Sequence, residues 1–464
     1  MGLRAALRDL GALQWRRAII ALSLGPAALP TVFAQNASPA WDLVQTIDHA
    51  ETANAAFAEA YADFRAEQQA VPEAVAGLLP RVSLSGKMQQ GSTLVGDSTG
   101  AKDFHTNGFT LSLTQPLINV EQWQNVDEAR LSEARDAISL EEAHQNLLAD
   151  TISAFVDVLA AEARQRAATA HRAALAEALE SARHAFELGV ITVVEVDDAQ
   201  ARLARSDADL AEFENDIEIA MSKLRSIEGD DLITIRPLPS AWTLQPVLPG
   251  ELADLLERAE GRNLSVASSR LETRIAETKI KEARSEFLPT MELVLSHSRG
   301  SASYLESQTN ILLGRAGHSD AIGIQISVPI FDGFSTVAKT RQRLDEKDSA
   351  DRKLVETIRT VRQQTRQSYL TFTSSLSRIH ALSEAIHAAA IARNATREAY
   401  TLGVKINVDM LDAEDRLYAA QTDSIRATFD ALQSEVKLKR LTTDLTEYYV
   451  AQLNREIYDG TNPP

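Results

Sequence analysis

Residues 185–199 read Ala-Phe-Glu-Leu-Gly-Val-Ile-Thr-Val-Val-Glu-Val-Asp-Asp-Ala, and residues 399–413 read Ala-Tyr-Thr-Leu-Gly-Val-Lys-Ile-Asn-Val-Asp-Met-Leu-Asp-Ala. The two stretches align without a gap, 214 residues apart. Gly189 and Gly403 occupy the same place in each, between segments that can be helical. They mark turns, where a residue without Cβ enters the left-handed region at little cost. The correspondence extends outward: Phe-Leu-Pro at 287–289 answers Leu-Leu-Pro at 78–80, and Val328-Pro329 answers Gln115-Pro116. The chain is an internal duplication.

No proline lies between Leu117 and Arg236 or between Ile330 and Asn462, so neither stretch is forced to lose a helical hydrogen bond. The helical pattern over residues 121–187 reaches roughly 100 Å if continuous, and residues 335–400 are similar. Helices of that length do not pack into a globule. With alternating charge and modest apolar stripes they pair as antiparallel coiled coils, and Ala154, Val158, Ala161, Leu175 and Leu179 suit such close packing. Only 5% of residues are aromatic against 44% hydrophobic, and the abundance of Ala, Leu, Glu, Arg and Gln favours helix.

Each repeat also holds two segments of alternating apolar and polar residues, the mark of a strand with one apolar face. In 81–90, Val82, Leu84 and Met88 alternate with Arg81, Ser83, Ser85 and Lys87; in 106–117, Phe109, Leu111 and Leu113 alternate with Thr110, Ser112 and Thr114. The second repeat follows with Met291, Leu293 and Leu295, then Ile322, Ile324, Ile326 and Val328. Each run approaches the ~10 residues of a barrel strand. A half-buried sheet in a soluble domain alternates in the same way.

Pro237, Pro239, Pro246 and Pro249 break the chain between the repeats, and a short helix is predicted near Glu251 to Ala259. The expected organisation is a signal peptide at 1–34 and a first repeat at 35–228 with strands near 80–117 and its tip near 189. A connection at 229–261 leads to a second repeat at 262–450, with strands near 288–331 and its tip near 403, and a tail at 451–464. The leader rests on Arg4, Arg8, Arg16 and Arg17 ahead of the apolar stretch from Ala18 to Leu29, with Val32-Phe33-Ala34 as cleavage site. That stretch is too short to span about 30 Å of hydrocarbon.

The net charge of −18 disfavours nucleic acid as a partner. Cysteine is absent, which excludes disulfides, thiolate metal sites and cysteine nucleophiles and suits an oxidising compartment. The chain has no His-Glu-x-x-His pair, phosphate-cradling glycine loop or Gly-x-Ser-x-Gly elbow, and its nine histidines lack metal-ligand spacing. No enzyme, cofactor or metal is therefore expected. Without a run of ~20 apolar residues, any membrane span is built of strands. Four strands cannot close a barrel, so several chains have to combine.

Jointly, the strand entries at Leu79-Pro80 and Leu288-Pro289, the strand ends at Pro116 and Pro329, the glycine turns and Val408-Asp409-Met410-Leu411-Asp412-Ala413 resemble the TolC family of outer-membrane factors of type I protein secretion and multidrug efflux. The likeness covers nearly all of the chain after the leader. It implies a mostly α fold with β-barrel strands: long antiparallel coiled-coil helices forming a periplasmic tunnel, and four strands per chain in a trimeric twelve-stranded outer-membrane β-barrel. It also implies a homotrimer in the outer membrane of a Gram-negative bacterium, extending into the periplasm and ringed by outer-membrane lipid. The implied partners are a periplasmic adaptor (membrane fusion) protein and an inner-membrane ABC or proton-driven pump. The chain is then a passive exit duct of a tripartite export system for proteins or small molecules, and its second tip looks closer to type I secretion ducts. The residues alone leave open a periplasmic or surface-attached coiled-coil scaffold or adhesin with a soluble β-domain.

The resemblance assigns roles to single residues. Asp409 and Asp412 match the aspartates that ring the closed periplasmic entrance; three residues apart, they share one helix face. In a trimer they set six carboxylates round one axis, a cation-selective constriction. The same acids also suit a helix N-terminus, with Asn407 as its N-cap. Tyr400 and Lys405 match gate-holding positions and Glu195 their acidic partner, although Lys405 stands where arginine is common and lacks its bidentate fork. Glu195 also has capping-box spacing from Thr192. Leu188, Gly189 and Val190, with Leu402, Gly403 and Val404, match the tips on which adaptor hairpins dock; alternatively the glycines only make the turns.

Overall fold

The computed structural model describes residues 40–93, 102–229, 234–239, 242, 250–304 and 315–459. The leader expected over 1–34 lies outside them, as do Pro246 and Pro249 of the connection. Shorter helices precede each strand pair: α1 (Leu43–Ala53), α2 (Ala55–Glu67) and α3 (Ala70–Ala76) in the first repeat, then α6 (Leu252–Arg262), the short helix expected in the connection, and α7 (Leu264–Ser285) in the second repeat. A strand pair follows, β1 (Arg81–Thr93) with β2 (Lys102–Ile118), and β3 (Thr290–Tyr304) with β4 (Arg315–Ser327). Helical hairpins come next, α4 (Val120–Glu187) with α5 (Val193–Glu228) and α8 (Ser335–Thr401) with α9 (Asn407–Leu441), before a last helix, α10 (Glu447–Tyr458).

The strand-to-helix junctions are set by side chains that take over exposed backbone N–H groups. Asn119 caps α4 by accepting from the Gln122 N–H at 3.0 Å, and Asp332 accepts from the Thr336 N–H at 2.7 Å as α8 begins. With no proline or glycine inside it, α4 runs unbroken for 68 residues, roughly 100 Å. Its stripe Leu148, Ile152, Phe155 and Leu159 forms the main core with Met221 and Leu224 of α5 and Phe429, Leu432 and Val436 of α9. Ala154, Val158, Ala161, Leu175 and Leu179, the residues expected to suit close coiled-coil packing, are all buried.

The residues expected as a tail are largely α10. It buries Tyr449, Val450, Leu453 and Ile457 in the same core, and the Asn454 amide reaches Asp42 and the Leu43 N–H, both at 3.1 Å. The chain end thus ties back to α1. Near it, burial pushes the Glu435 carboxyl up from 4.5 to about 7, against the pull of Lys439. The folded state then keeps a proton that the unfolded chain has released between those values, so this contribution to stability is complete below 4.5 and is lost as the pH rises through 7. Thermal unfolding followed by circular dichroism is expected to show stability falling by at most about 3 kcal/mol across that window. Glu435→Gln should flatten the slope; an unchanged slope in the variant removes Glu435 as its source.

The four strands form one antiparallel sheet in chain order, and the β2–β3 pairing joins the two repeats. Register places Val82, Leu113, Leu295 and Ile322 in one transverse row and Leu84, Leu111, His297 and Asp320 in the next. Apart from Gln115, in register with Leu293 and Ile324, that face is apolar from Met291 and Ile326 up to the His297–Asp320 contact of 2.5 Å. The other face carries Ser83, Ser112, Ser296 and Ala321, then Ser85, Thr110, Ser298 and Ser319. The apolar side chains have nothing over them in a single chain: Leu84 is 70% and Ile322 74% exposed. Among the described residues β1 and β4 each pair on one side only. No described helix is long and apolar enough to cross a membrane.

Candidate functional site

At the far end of the long helices the duplicated stretches make the same turn. Gly189 has φ +71° and Gly403 φ +73°. The Val190 N–H donates to the Ala185 carbonyl and the Gly189 N–H to that of Phe186, both at 2.9 Å. In the second repeat, Val404 donates to Ala399 at 2.9 Å and Gly403 to Tyr400 at 3.0 Å. These are two Schellman caps, in which a left-handed residue lets the chain satisfy the last helical carbonyls. They leave Leu188, Val190, Leu402 and Val404 pointing outward, each more than 70% exposed. Leu and Val held in water at both tips suit contact with another apolar surface.

The second helix of each hairpin starts differently from expectation. Ile406, not Asn407, precedes α9; Asn407 is its first residue and is buried with both amide atoms unpaired. The N–H of Ile406 instead faces the Asp409 carboxylate at 3.4 Å, and Lys405 Nζ lies 3.3 Å from the same carboxylate. At α5, Thr192 stands at the N-cap but its hydroxyl makes no capping bond. Glu195 Oε2 is enclosed without a partner, so the capping box expected from their spacing does not form. Within one chain, then, Lys405 goes to Asp409 and not to Glu195.

Tyr400 lines a cavity of about 260 Å³ between α4, α8 and α9, with Leu175, Arg397, Met410 and Leu411 around it. Arg393 bonds Glu414 at 3.3 Å and Arg397 bonds Glu177 beside the same space. These pairs tie α8 to α9 and α8 to α4.

Asp412 belongs to a network that spacing along the chain did not reveal. Arg202 on α5 uses all three guanidinium nitrogens: Nε lies 3.1 Å from Asp198, Nη2 2.9 Å from Asp412 and Nη1 2.5 Å from Asp415. From α4, His171 Nε2 reaches the other oxygen of Asp415 at 3.0 Å, and its ring stacks on Tyr418 at 4.2 Å. The His171 contact, with Arg202 beside it, holds the Asp415 carboxyl below its ordinary range, while burial raises the Tyr418 hydroxyl. Asp198 and Arg202, four apart, were a visible helical pair. Their partners on α9 lie more than 200 residues away, and only the fold brings them in. No group of three or more acidic or His side chains among the described residues is set to hold a metal.

A family model described as outer membrane efflux protein matches residues 46–230 and 255–443, most of both repeats. Outer membrane protein TolC of Escherichia coli strain K12 is 26% identical over 436 residues, covering 92% of this chain and 87% of TolC. Alkaline protease secretion protein AprF of Pseudomonas aeruginosa is 27% identical over 400 residues, covering 84% of this chain and 81% of AprF. Among solved structures, the Campylobacter jejuni CmeC outer membrane channel has a TM-score of 0.75 at 14% identity, covering 95% of this chain and 98% of that one. The outer membrane protein VceC of Vibrio cholerae has a TM-score of 0.72 at 18% identity, covering 86% and 95%. At these identities the structural likeness is one of fold.

Proposed function

The chain belongs to the outer membrane efflux protein family, and on that premise we propose that it is the exit duct of a tripartite export system. It is an outer-membrane channel and not an enzyme. The observation that carries the proposal is the sheet: four strands, one face apolar and bare, with open edges at β1 and β4. Open edges cannot stand in lipid, where unpaired N–H and C=O groups find no water. Several copies therefore have to close one barrel; family membership makes them three, each contributing β1 to β4 to twelve strands, with outer-membrane lipid against Leu84 and Ile322. Their hairpins, one from each of the repeats 35–228 and 262–450, continue the barrel as a periplasmic tunnel.

At the tunnel mouth, Asp409 and Asp412 form the constriction, and Tyr400, Lys405 and Glu195 hold the gate between neighbouring coiled coils. A periplasmic adaptor docks on Leu188-Gly189-Val190 and Leu402-Gly403-Val404, and an inner-membrane ABC or proton-driven pump supplies the energy. Likeness to a protease secretion protein supports a protein cargo by the type I route; small molecules are the other cargo class. Membrane fractionation tests the duct. The chain is expected in carbonate-washed outer membranes and, once solubilised in detergent, at three times its own mass. Release by carbonate, or a single-chain mass, would return the reading to a surface scaffold or adhesin.

A further inference from the structure

Arg202 is the one described side chain whose guanidinium meets three carboxylates, and two of them, Asp412 and Asp415, sit on the helix that carries the proposed constriction. Asp409 and Asp412 share a helix face, yet their cations differ in kind. Lys405 reaches Asp409 from four residues back, a half-exposed pair of one flexible ammonium, which is worth little in water. Arg202 comes from α5 and is only 23% exposed; its planar fork is fixed by Asp198 from one side and Asp415 from the other. Such a fork loses little freedom on binding and stays charged at every pH the protein meets. His171, closing on the far oxygen of Asp415, leaves Arg202 Nη2 committed to Asp412.

We infer that Arg202 is a specificity-determining positioning residue of the entrance, holding Asp412 within its own protomer so that Asp409 supplies most of the field felt by an entering cation. The inference rests on Asp409 and Asp412 being the constriction. Without Arg202, Asp412 is an unpaired carboxylate on the same helix face as Asp409, and cation entry is favoured further. The cation-to-anion permeability ratio therefore rises when a positive residue is removed and not when the acids are.

Reversal potentials of single channels in planar bilayers, under a potassium chloride gradient, test this. Arg202→Ala is expected to raise cation selectivity at least about threefold, by the field of one unshielded carboxylate, and to tighten block by magnesium. Asp412→Ala added to it should bring selectivity back. Arg202→Lys, which keeps the charge but cannot span three acids, should fall between. With Arg202 intact, Asp412→Ala should change selectivity less than Asp409→Ala, a comparison that holds even if the Arg202 variants do not assemble. If Asp409→Ala with Asp412→Ala lowers selectivity while Arg202→Ala leaves it unchanged or lowers it, the role of Arg202 is wrong and the constriction stands. An equal effect of the two single aspartate variants also overturns it. If no aspartate variant moves the reversal potential, the constriction reading fails and this inference fails with it.

Discussion

Asp409→Ala combined with Asp412→Ala is expected to lower the cation-to-anion permeability ratio of single channels roughly tenfold, equivalent to about 1.4 kcal/mol, and to abolish block by millimolar magnesium. A cation about 8 Å from one carboxylate gains roughly 2 kcal/mol at an effective dielectric near 20. Lys405 at 3.3 Å from Asp409 and Arg202 at 2.9 Å from Asp412 offset part of that field, which is why the expected loss is one decade and not several. The effect should shrink as ionic strength rises, because the screening length falls to about 3 Å at 1 M salt. Unchanged selectivity in the double variant at low salt would remove these residues from the constriction. Conductance alone does not decide the point, since loosening the hairpin also changes it.

Gly300→Val is expected to cut the yield of assembled protein in carbonate-washed outer membranes at least about tenfold. Gly108 and Gly300 face each other across the β2–β3 pairing. A Cβ on Gly300 would meet the Asn107 carbonyl at 2.8 Å, and one on Gly108 the Arg299 carbonyl at 2.9 Å. Both obstacles are backbone, so relief requires the strands to part. Overpacking of that kind costs about 1–3 kcal/mol or more, and each copy in a closed barrel bears it. Gly317, the next residue across in the same row, has nothing within 4 Å of its Cβ position. Gly317→Val is thus a control for folding of the single chain only, because the β4 edge on which Gly317 lies is covered when the next copy joins the barrel. Wild-type yield of Gly300→Val would show that the β2–β3 contact is looser than these distances.

The periodicities were legible because the backbone imposes them before any tertiary contact exists. Alternation at Val82 and Leu84 or at Ile322 and Ile324 follows from a strand turning each side chain to the opposite face, and those residues do lie on one bare face. The long helices followed from the absence of proline over some hundred residues, and the turns at Gly189 and Gly403 from the left-handed φ that only glycine takes cheaply. The N-caps were less legible. Thr192 and Asn407 have the right chemistry, yet Thr192 makes no capping bond and Asn407 is drawn inside the helix and buried. A cap is a competition between local hydrogen bonds and packing, and here packing prevailed.

Sequence by itself determined the duplication, the helix lengths, the two faces of each strand and the need for more than one chain to close a barrel. Tertiary structure alone decided that α10 returns to the core and that Glu435 lies where a charge is costly. It also decided that Asp412 answers to Arg202, 210 residues earlier in the chain. The first group depends on the geometry of a single segment, which repeats every 2 or 3.6 residues. The second depends on which helices lie side by side, and neither charge nor spacing along one helix carries that information.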